Sequence, residues 1–231
     1  MDEIITKWKD LSDAKKYREA YNIVTTAIQK GMQHSDLYWR KACSCRDLAN
    51  SLGKSDKNMY KHYVHEGLAA CESGLRLNSE CPKCNSWYAV FLNYTSQLEG
   101  MNKRIENSFK MKEYWLKAHK LDPTDYGTLH ALGRWCFEVA DLSWLKRKFA
   151  ATLFSTPPTS TYDEALKYLT ESEKIAPGAL VNNSLYLAKT YQRLKDNAQA
   201  KQYCLKVLSF PGDDLETEEA KTEASELLKK L

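Results

Sequence analysis

Glycine and proline are scarce in this chain, 9 and 6 of 231 residues. An all-β fold needs a tight turn about every 8–12 residues, and with no strictly alternating apolar–polar runs that fold is excluded. No stretch approaches 18 consecutive apolar residues and the mean hydropathy is −0.60, so no membrane-spanning helix is expected. The first residues, Met1-Asp2-Glu3-Ile4, are already charged and hold no apolar signal core, which predicts a chain without an anchor in a reducing cytosol. Catalytic constellations are missing as well. There is no Gly-rich phosphate loop and no Gly-x-Ser-x-Gly turn. The five histidines (His34, His62, His65, His119, His130) are scattered, and His65-Glu66 lacks the spacing of a zinc-hydrolase helix. No enzyme and no cofactor are expected. Seven cysteines include one ligand-like pair, Cys81-Pro82-Lys83-Cys84, but a structural zinc site needs two more ligands and no second such pair exists. That pair reads as the start of a helix, and the remaining cysteines fall mostly on apolar stripes, where a thiol acts as a small hydrophobe.

What the chain does have is a recurring phrase. Met111, Trp115 and Ala118 precede Leu121-Asp122-Pro123; Ala165, Leu169 and Ser172 precede Ile175-Ala176-Pro177. The spacing is helical and the proline ends the helix. Looser copies are Ala20, Val24, Ala27; Gly67, Cys71, Gly74; and Ala200, Cys204, Val207. Small residues in the first and third places allow two helices to approach closely. A partner helix precedes each copy: Ile4, Trp8, Leu11; Tyr38, Ala42, Cys45; Trp87, Val90, Phe91, Tyr94; Leu129, Leu132, Gly133, Cys136; and Ser184, Leu187, Ala188, Tyr191. In the last unit Ala188 precedes Ala200 by 12 positions, the spacing of a tight repeat. Three others carry insertions, between Ala42 and Gly67, Phe91 and Met111, and Gly133 and Ala165. The predicted fold is all-α, an irregular tetratricopeptide-like solenoid of about five helical hairpins. Residues 1–212 are expected to form this repeat domain, with an insertion near 142–160, and residues 213–231 a capping helix of the same domain. Such arrays bury their apolar faces by stacking and usually serve as binding surfaces.

Charge is uneven around the net +4. Residues 213–231 hold seven acids against three lysines, so the remainder carries +8. The terminal helix, with Leu227, Leu228 and Leu231 on one face, suits the end of an open stack, and its acids are expected to do no more than keep that end soluble. Basic residues cluster at Lys103-Arg104, at Lys110, Lys112, Lys117 and Lys120, at Arg134 beside Trp135, and at Lys146-Arg147-Lys148 in the largest insertion. A surface of this kind attracts polyanions such as acidic protein tails, lipid headgroups or nucleic acid; individually, pairs such as Glu106–Lys110 and Glu113–Lys117 are ordinary helix-surface partners. In residues 142–154, Leu142, Leu145, Phe149 and Leu153 form an apolar stripe flanked by this basic run. It is expected to pack across a neighbouring repeat, with a membrane-surface helix as the alternative.

The run Leu132-Gly133-Arg134-Trp135-Cys136-Phe137, continuing through Leu142-Ser143-Trp144-Leu145 to Pro157-Pro158 and Glu164-Ala165-Leu166, resembles the regulator of microtubule dynamics family. So do Trp87-Tyr88-Ala89-Val90, Glu99-Gly100 with Lys103-Arg104-Ile105, and Tyr186-Leu187-Ala188-Lys189. The likeness spans residues 15–210. It implies a helical-repeat protein of the cytoplasm and cytoskeleton, at spindle and spindle pole, serving chromosome segregation in mitosis. Tubulin or microtubules are the implied partner, and nucleic acid is not. Some family members carry an N-terminal anchor and act at organelle membranes, with the repeat domain implicated in phospholipid binding; this sequence resembles the short type. The residues expected to carry the electrostatic contact are Lys103, Arg104, Arg134, Lys146, Arg147 and Lys148, with a peptide partner in the repeat groove. An anionic phospholipid is the alternative ligand. A clamp for a peptide carboxylate, built on Lys41, Asn93, Arg134 and Asn183, ranks last because their spacing is inconsistent.

Overall fold

A computed structural model describes the chain apart from residues 53–55, 144–146, 149–150, 153–157 and 213 and the side chain of Met101. Twelve α-helices and no strand are present among the described residues. They fall into two compact units, residues 1–122 and 123–231.

The first unit holds α1 (Asp2–Asp13), α2 (Tyr17–Gln29), α3 (Ser35–Leu52), α4 (Lys57–Leu77), α5 (Pro82–Glu99), α6 (Met101–Glu106) and α7 (Ser108–Leu121). Hairpins pair α1 with α2, α3 with α4 and α5 with α7. The turn between α1 and α2 is short. Lys15 takes a left-handed φ of 57°, and the amides of Lys15 and Lys16 return to the carbonyls of Ser12 and Leu11. This stop closes the end of α1 without a glycine. Here Trp8 precedes Ala20 by 12 positions, so the first hairpin has the tight spacing too. A bulky Trp8 in place of the small residue hides it; its indole N–H donates to Ser44 Oγ at 2.9 Å.

The second unit holds α8 (Tyr126–Ala140), α9 (Tyr162–Ile175), α10 (Val181–Arg193), α11 (Asn197–Leu208) and α12 (Leu215–Leu228). Hairpins pair α8 with α9 and α10 with α11. Thr161 opens α9 with a full capping box: its hydroxyl accepts from the Glu164 amide while the Glu164 carboxylate accepts from the Thr161 amide. Lys195, with φ 65°, closes α10 as Lys15 closes α1, its amide returning to Gln192.

All fifteen residues of the recurring phrase are buried. At the ends of α4, α7 and α9 the capping amide (Asn78, Asp122, Ala176) bonds to the carbonyl of the phrase's last small residue (Gly74, Ala118, Ser172). The need for small residues is steric. A Cβ on Gly67 of α4 would stand 2.2 Å from the Phe91 ring of α5, and one on Gly133 of α8 would stand 2.6 Å from Leu169 Cγ of α9.

The capping helix α12 buries Ala220, Ala224 and Leu227 against Val181, Leu185 and Ala188 of α10 and Cys204 and Val207 of α11. Leu228 and Leu231 are partly buried beside them. Its acids do more than solvate the end. Glu216 accepts from Asn182 Nδ2 at 2.6 Å and Glu223 pairs with Lys189, so two carboxylates staple α12 to α10.

Candidate functional site

In the first unit the basic stretch starts at Gly100, whose φ of 106° turns the chain sharply from α5 into α6. Ile105 is buried, Asn107 Nδ2 donates to Ser96 Oγ at 2.8 Å, and Arg104 Nε donates to Asn93 Oδ1 at 2.8 Å, which ties α6 back onto α5. Lys103 is half-exposed and pairs with Glu106 at 3.0 Å. Glu106 therefore turns back toward Lys103 rather than on to Lys110, whose ammonium lies 5.3 Å from the Tyr88 ring centre. A hydrogen bond with Tyr88 raises the Lys110 pKa further.

Helix α7 buries Met111, Trp115 and Ala118. Its opposite face exposes Phe109, Lys110, Glu113, Leu116, Lys117, Lys120 and Leu121. Between Met101 and Leu121 six cations (Lys103, Arg104, Lys110, Lys112, Lys117, Lys120) stand against two carboxylates, Glu106 and Glu113. Lys117 and Lys120 are exposed point charges on this face, with Lys110 beside them against Tyr88, and an ammonium can meet a polyanion in many orientations.

In the second unit the two predicted arginines have internal partners. Arg134 Nε donates to Glu138 Oε1 at 3.0 Å, and its guanidinium lies 5.2 Å from the Tyr186 ring centre. Tyr186 donates its hydroxyl to the same Glu138 oxygen at 3.0 Å, and Lys189 lies 4.9 Å from its ring centre on the way to Glu223. Arg147 folds back on α8, donating to the carbonyls of Ala140 and Leu142 at 2.7 and 2.9 Å; it satisfies carbonyls that the helix end leaves open. Lys148 is exposed. Lys146 lies outside the described residues, as do Trp144, Leu145, Phe149, Leu153 and Pro157, so the stripe expected over 142–154 falls chiefly outside them.

A groove in this unit is lined by Phe137 and Asp141 of α8, Lys189 and Arg193 of α10, and Glu223 and Leu227 of α12. Arg193 Nε donates to Asp141 Oδ1 at 2.6 Å and Tyr162 donates to the same oxygen at 2.8 Å. Burial pushes the Asp141 pKa up, but these two partners outweigh it and hold the group below its ordinary value. Acids and bases balance along this groove, so it offers no net field to a charged ligand.

The four carboxylate-clamp candidates are also engaged. Lys41 pairs with Glu66 at 2.8 Å, Asn93 accepts from Arg104, Arg134 is held by Glu138, and Asn183 donates to the Leu169 carbonyl at 3.1 Å. Neighbour lists, not spacing, decide this, and a sequence does not contain them. Lys110, Lys117 and Lys120, by contrast, recur at spacings of seven and three, which sets them on one helical face in the sequence itself.

A family profile described as regulator of microtubule dynamics protein 1-3 matches residues 4–231. The chain belongs to the regulator of microtubule dynamics protein 1-3 family. Among members of the family, regulator of microtubule dynamics protein 1 of Bos taurus is 32% identical over 229 residues, 99% of this chain and 71% of that protein. Regulator of microtubule dynamics protein 3 of Xenopus laevis is 31% identical over 234 residues, 99% of this chain and half of that protein. The fold of this chain also resembles a crystal structure of a thermophilic TPR protein from Thermus thermophilus. That likeness has TM-score 0.65 at 11% identity and covers 97% of this chain and 98% of the other. It bears on the fold alone, an all-helical repeat. No described helix is long and apolar enough to cross a membrane.

Proposed function

We propose that the chain is a non-enzymatic, microtubule-binding adaptor of the cytoplasm and spindle that supports chromosome segregation. In this reading the exposed basic face of α7 meets the acidic surface and tails of tubulin, with Lys103 of α6 beside it in sequence. Lys148 and Lys146 add charge from the second unit, while Arg104, Arg134 and Arg147 hold local structure. A peptide partner occupies the repeat groove. Family membership and the exposed lysines of α7 support the reading.

The test is co-sedimentation of the purified full chain with microtubules, intact or with their tails removed by protease. Exposed charges are screened beyond about 10 Å at 0.1 M salt, so binding should fall steeply with salt and with tail removal. Joint reversal of Lys110, Lys117 and Lys120 to Glu should weaken it at least ~10-fold, a loss of about 1.4 kcal/mol. Sedimentation unchanged by that variant would remove α7 from the mechanism. Unchanged sedimentation after reversal of Lys146–Lys148 would remove that run.

Phe109 and Leu116, exposed among the α7 lysines, favour a second reading, an anionic phospholipid surface at organelle membranes. Flotation with vesicles containing phosphatidylserine, in the absence of tubulin, separates the two. Replacing Phe109 and Leu116 with Ser should abolish flotation and leave co-sedimentation intact if both surfaces are used.

A further inference from the structure

The Cys81–Cys84 pair takes no part in the proposed function, and the structure sets both residues on one helical turn. Cys81 is the N-cap of α5 and Pro82 its first residue, so the second thiol sits on the same turn. Cys81 Sγ accepts the Cys84 amide at 3.4 Å. The Cys84 thiol donates to the Ser35 carbonyl at 3.5 Å, at the start of α3. The turn ahead of the pair is fixed: Asn85 Nδ2 donates to the carbonyls of Ser79 and Cys81 at 3.0 and 2.8 Å, and the Cys81 amide returns to Asn78. Asn78, Ser79 and Glu80 are exposed, which places Cys81 at the edge of solvent although only 5% of it is accessible; Cys84 is fully enclosed.

The two sulfurs differ chemically. The adjoining Cys84 side chain and its backbone amide hold the Cys81 pKa down at about 6 against the effect of burial, and the adjoining Cys81 sulfur together with burial raises that of Cys84. Cys43, Cys45, Cys71 and Cys204 are all pushed up by burial. Among the described residues no third His, Cys, Asp or Glu joins the pair, so the arrangement is that of a dithiol.

We propose that Cys81 and Cys84 form a redox-active dithiol that exchanges with small-molecule disulfides of the oxidised glutathione type. The Cys81 thiolate attacks one sulfur of the incoming disulfide. That S–S bond breaks, a mixed disulfide forms on Cys81, and one glutathione leaves as a thiolate that takes a proton from water. Cys84 then releases its proton to solvent and attacks Cys81 Sγ. The mixed disulfide breaks and the second glutathione leaves, protonated in turn. The two protein thiols are oxidised to one disulfide, and two electrons pass to the incoming disulfide, which becomes two thiols. Closure takes the Cys84 hydrogen from Ser35 and couples the α3–α5 junction to the thiol–disulfide balance.

The test equilibrates the full chain in glutathione buffers of graded oxidation, then blocks remaining thiols with an alkylating reagent for intact mass and peptide mapping. Wild type should lose two of its seven alkylatable thiols, both in the peptide that contains residues 81–84. Cys84→Ser should instead accumulate one glutathione adduct at Cys81, and Cys81→Ser should do neither. Because Cys84 is buried, Cys84→Ala serves as a second variant, and helical circular dichroism confirms its fold. Seven alkylatable thiols in fully oxidised glutathione would overturn the proposal. So would loss of a different pair, or a wild-type adduct that never resolves to a disulfide.

Discussion

Replacing Gly67 by Ala tests the closest helix contact in the first unit. The new Cβ would meet two Phe91 ring carbons at 2.2 Å and a third at 2.8 Å. Ordinary carbon–carbon contact begins near about 3.5 Å, so the ring or the α4–α5 separation must give by more than ~1 Å. Phe91 is fully buried, with Trp87 and Tyr94 around it, their ring centres 6.3 and 5.9 Å away. Overpacking of this kind costs about 1–3 kcal/mol. The gain in helix propensity from Gly to Ala offsets at most about 1 kcal/mol. The expected net is a loss of about 1–2 kcal/mol, a fall of roughly 2–8 °C in melting temperature for a chain of this size. Thermal unfolding followed by circular dichroism at 222 nm reads it directly. Phe91→Leu should recover part of the loss in the double variant, with a coupling of at least ~1 kcal/mol. Gly127→Ala is the control, since a Cβ there finds only Asp125 Oδ1 at 3.5 Å; it should be neutral or slightly stabilising. If Gly67→Ala were as stable as wild type, or additive with Phe91→Leu, close approach at Gly67 would not explain the small residue of the repeat.

Glu66 accepts from Tyr21 at 2.7 Å and from Lys41 at 2.8 Å, with His62 at 3.4 Å; Glu66→Gln should cost about 2–3 kcal/mol in urea unfolding because Lys41 is left half-buried without its countercharge, whereas Tyr21→Phe should cost only about 1 kcal/mol. Burial, then Arg134, holds the His130 pKa down at about 4, with Asn183 Oδ1 3.2 Å from Nδ1. The unfolded chain takes up this proton near about 6.5, so stability is unaffected above that pH, falls from there to about 4, and is flat for this group below; the loss should be on the order of 3 kcal/mol and absent in His130→Gln. Glu66 and Asp141, held below their ordinary values by Lys41 and Arg193 despite burial, lose stability only as pH falls below the ordinary carboxylate range, which separates their effect from that of His130. Thr161→Ala removes the capping box of α9 and should cost about 1 kcal/mol in the same urea assay, with Thr161→Ser close to wild type.

The second helices of the hairpins were readable from spacing because one narrow face carries all their burial: Ala20, Val24, Ala27 and their counterparts sit in the core at helical intervals. First helices were harder. In α5 the apolar stripe Trp87, Val90, Phe91, Tyr94 marks only part of the buried surface, and apart from Phe91 these residues are half-buried. Buried as well are Cys84, Asn85, Ser86, Tyr88, Ala89, Leu92, Thr95 and Ser96. The helix packs against α3, α4 and α7 at once, so its contact arc exceeds what an apolar pattern outlines. Thr95 and Ser96 can occupy that arc because each hydroxyl donates to a carbonyl of its own helix, to Phe91 at 2.9 Å and to Leu92 at 2.5 Å. Polar residues that satisfy themselves locally are invisible to a hydrophobic reading.

The same physics separates the cations. Whether Arg134 is a surface charge or a strut depends on Glu138 four residues on and on Tyr186 in another hairpin, and only the first is near in sequence. Arginine's planar fork finds such fixed partners readily, while lysine's single ammonium is more strongly hydrated and better suited to an exposed face. This difference fits the arrangement here: Arg104, Arg134, Arg147 and Arg193 hold side-chain or carbonyl oxygens, whereas Lys117 and Lys120 stand exposed. Within α6 and α7 the exposed lysines therefore separate from the arginine held by Asn93, and on that ground Lys117 and Lys120, rather than Arg104, are the residues to reverse first.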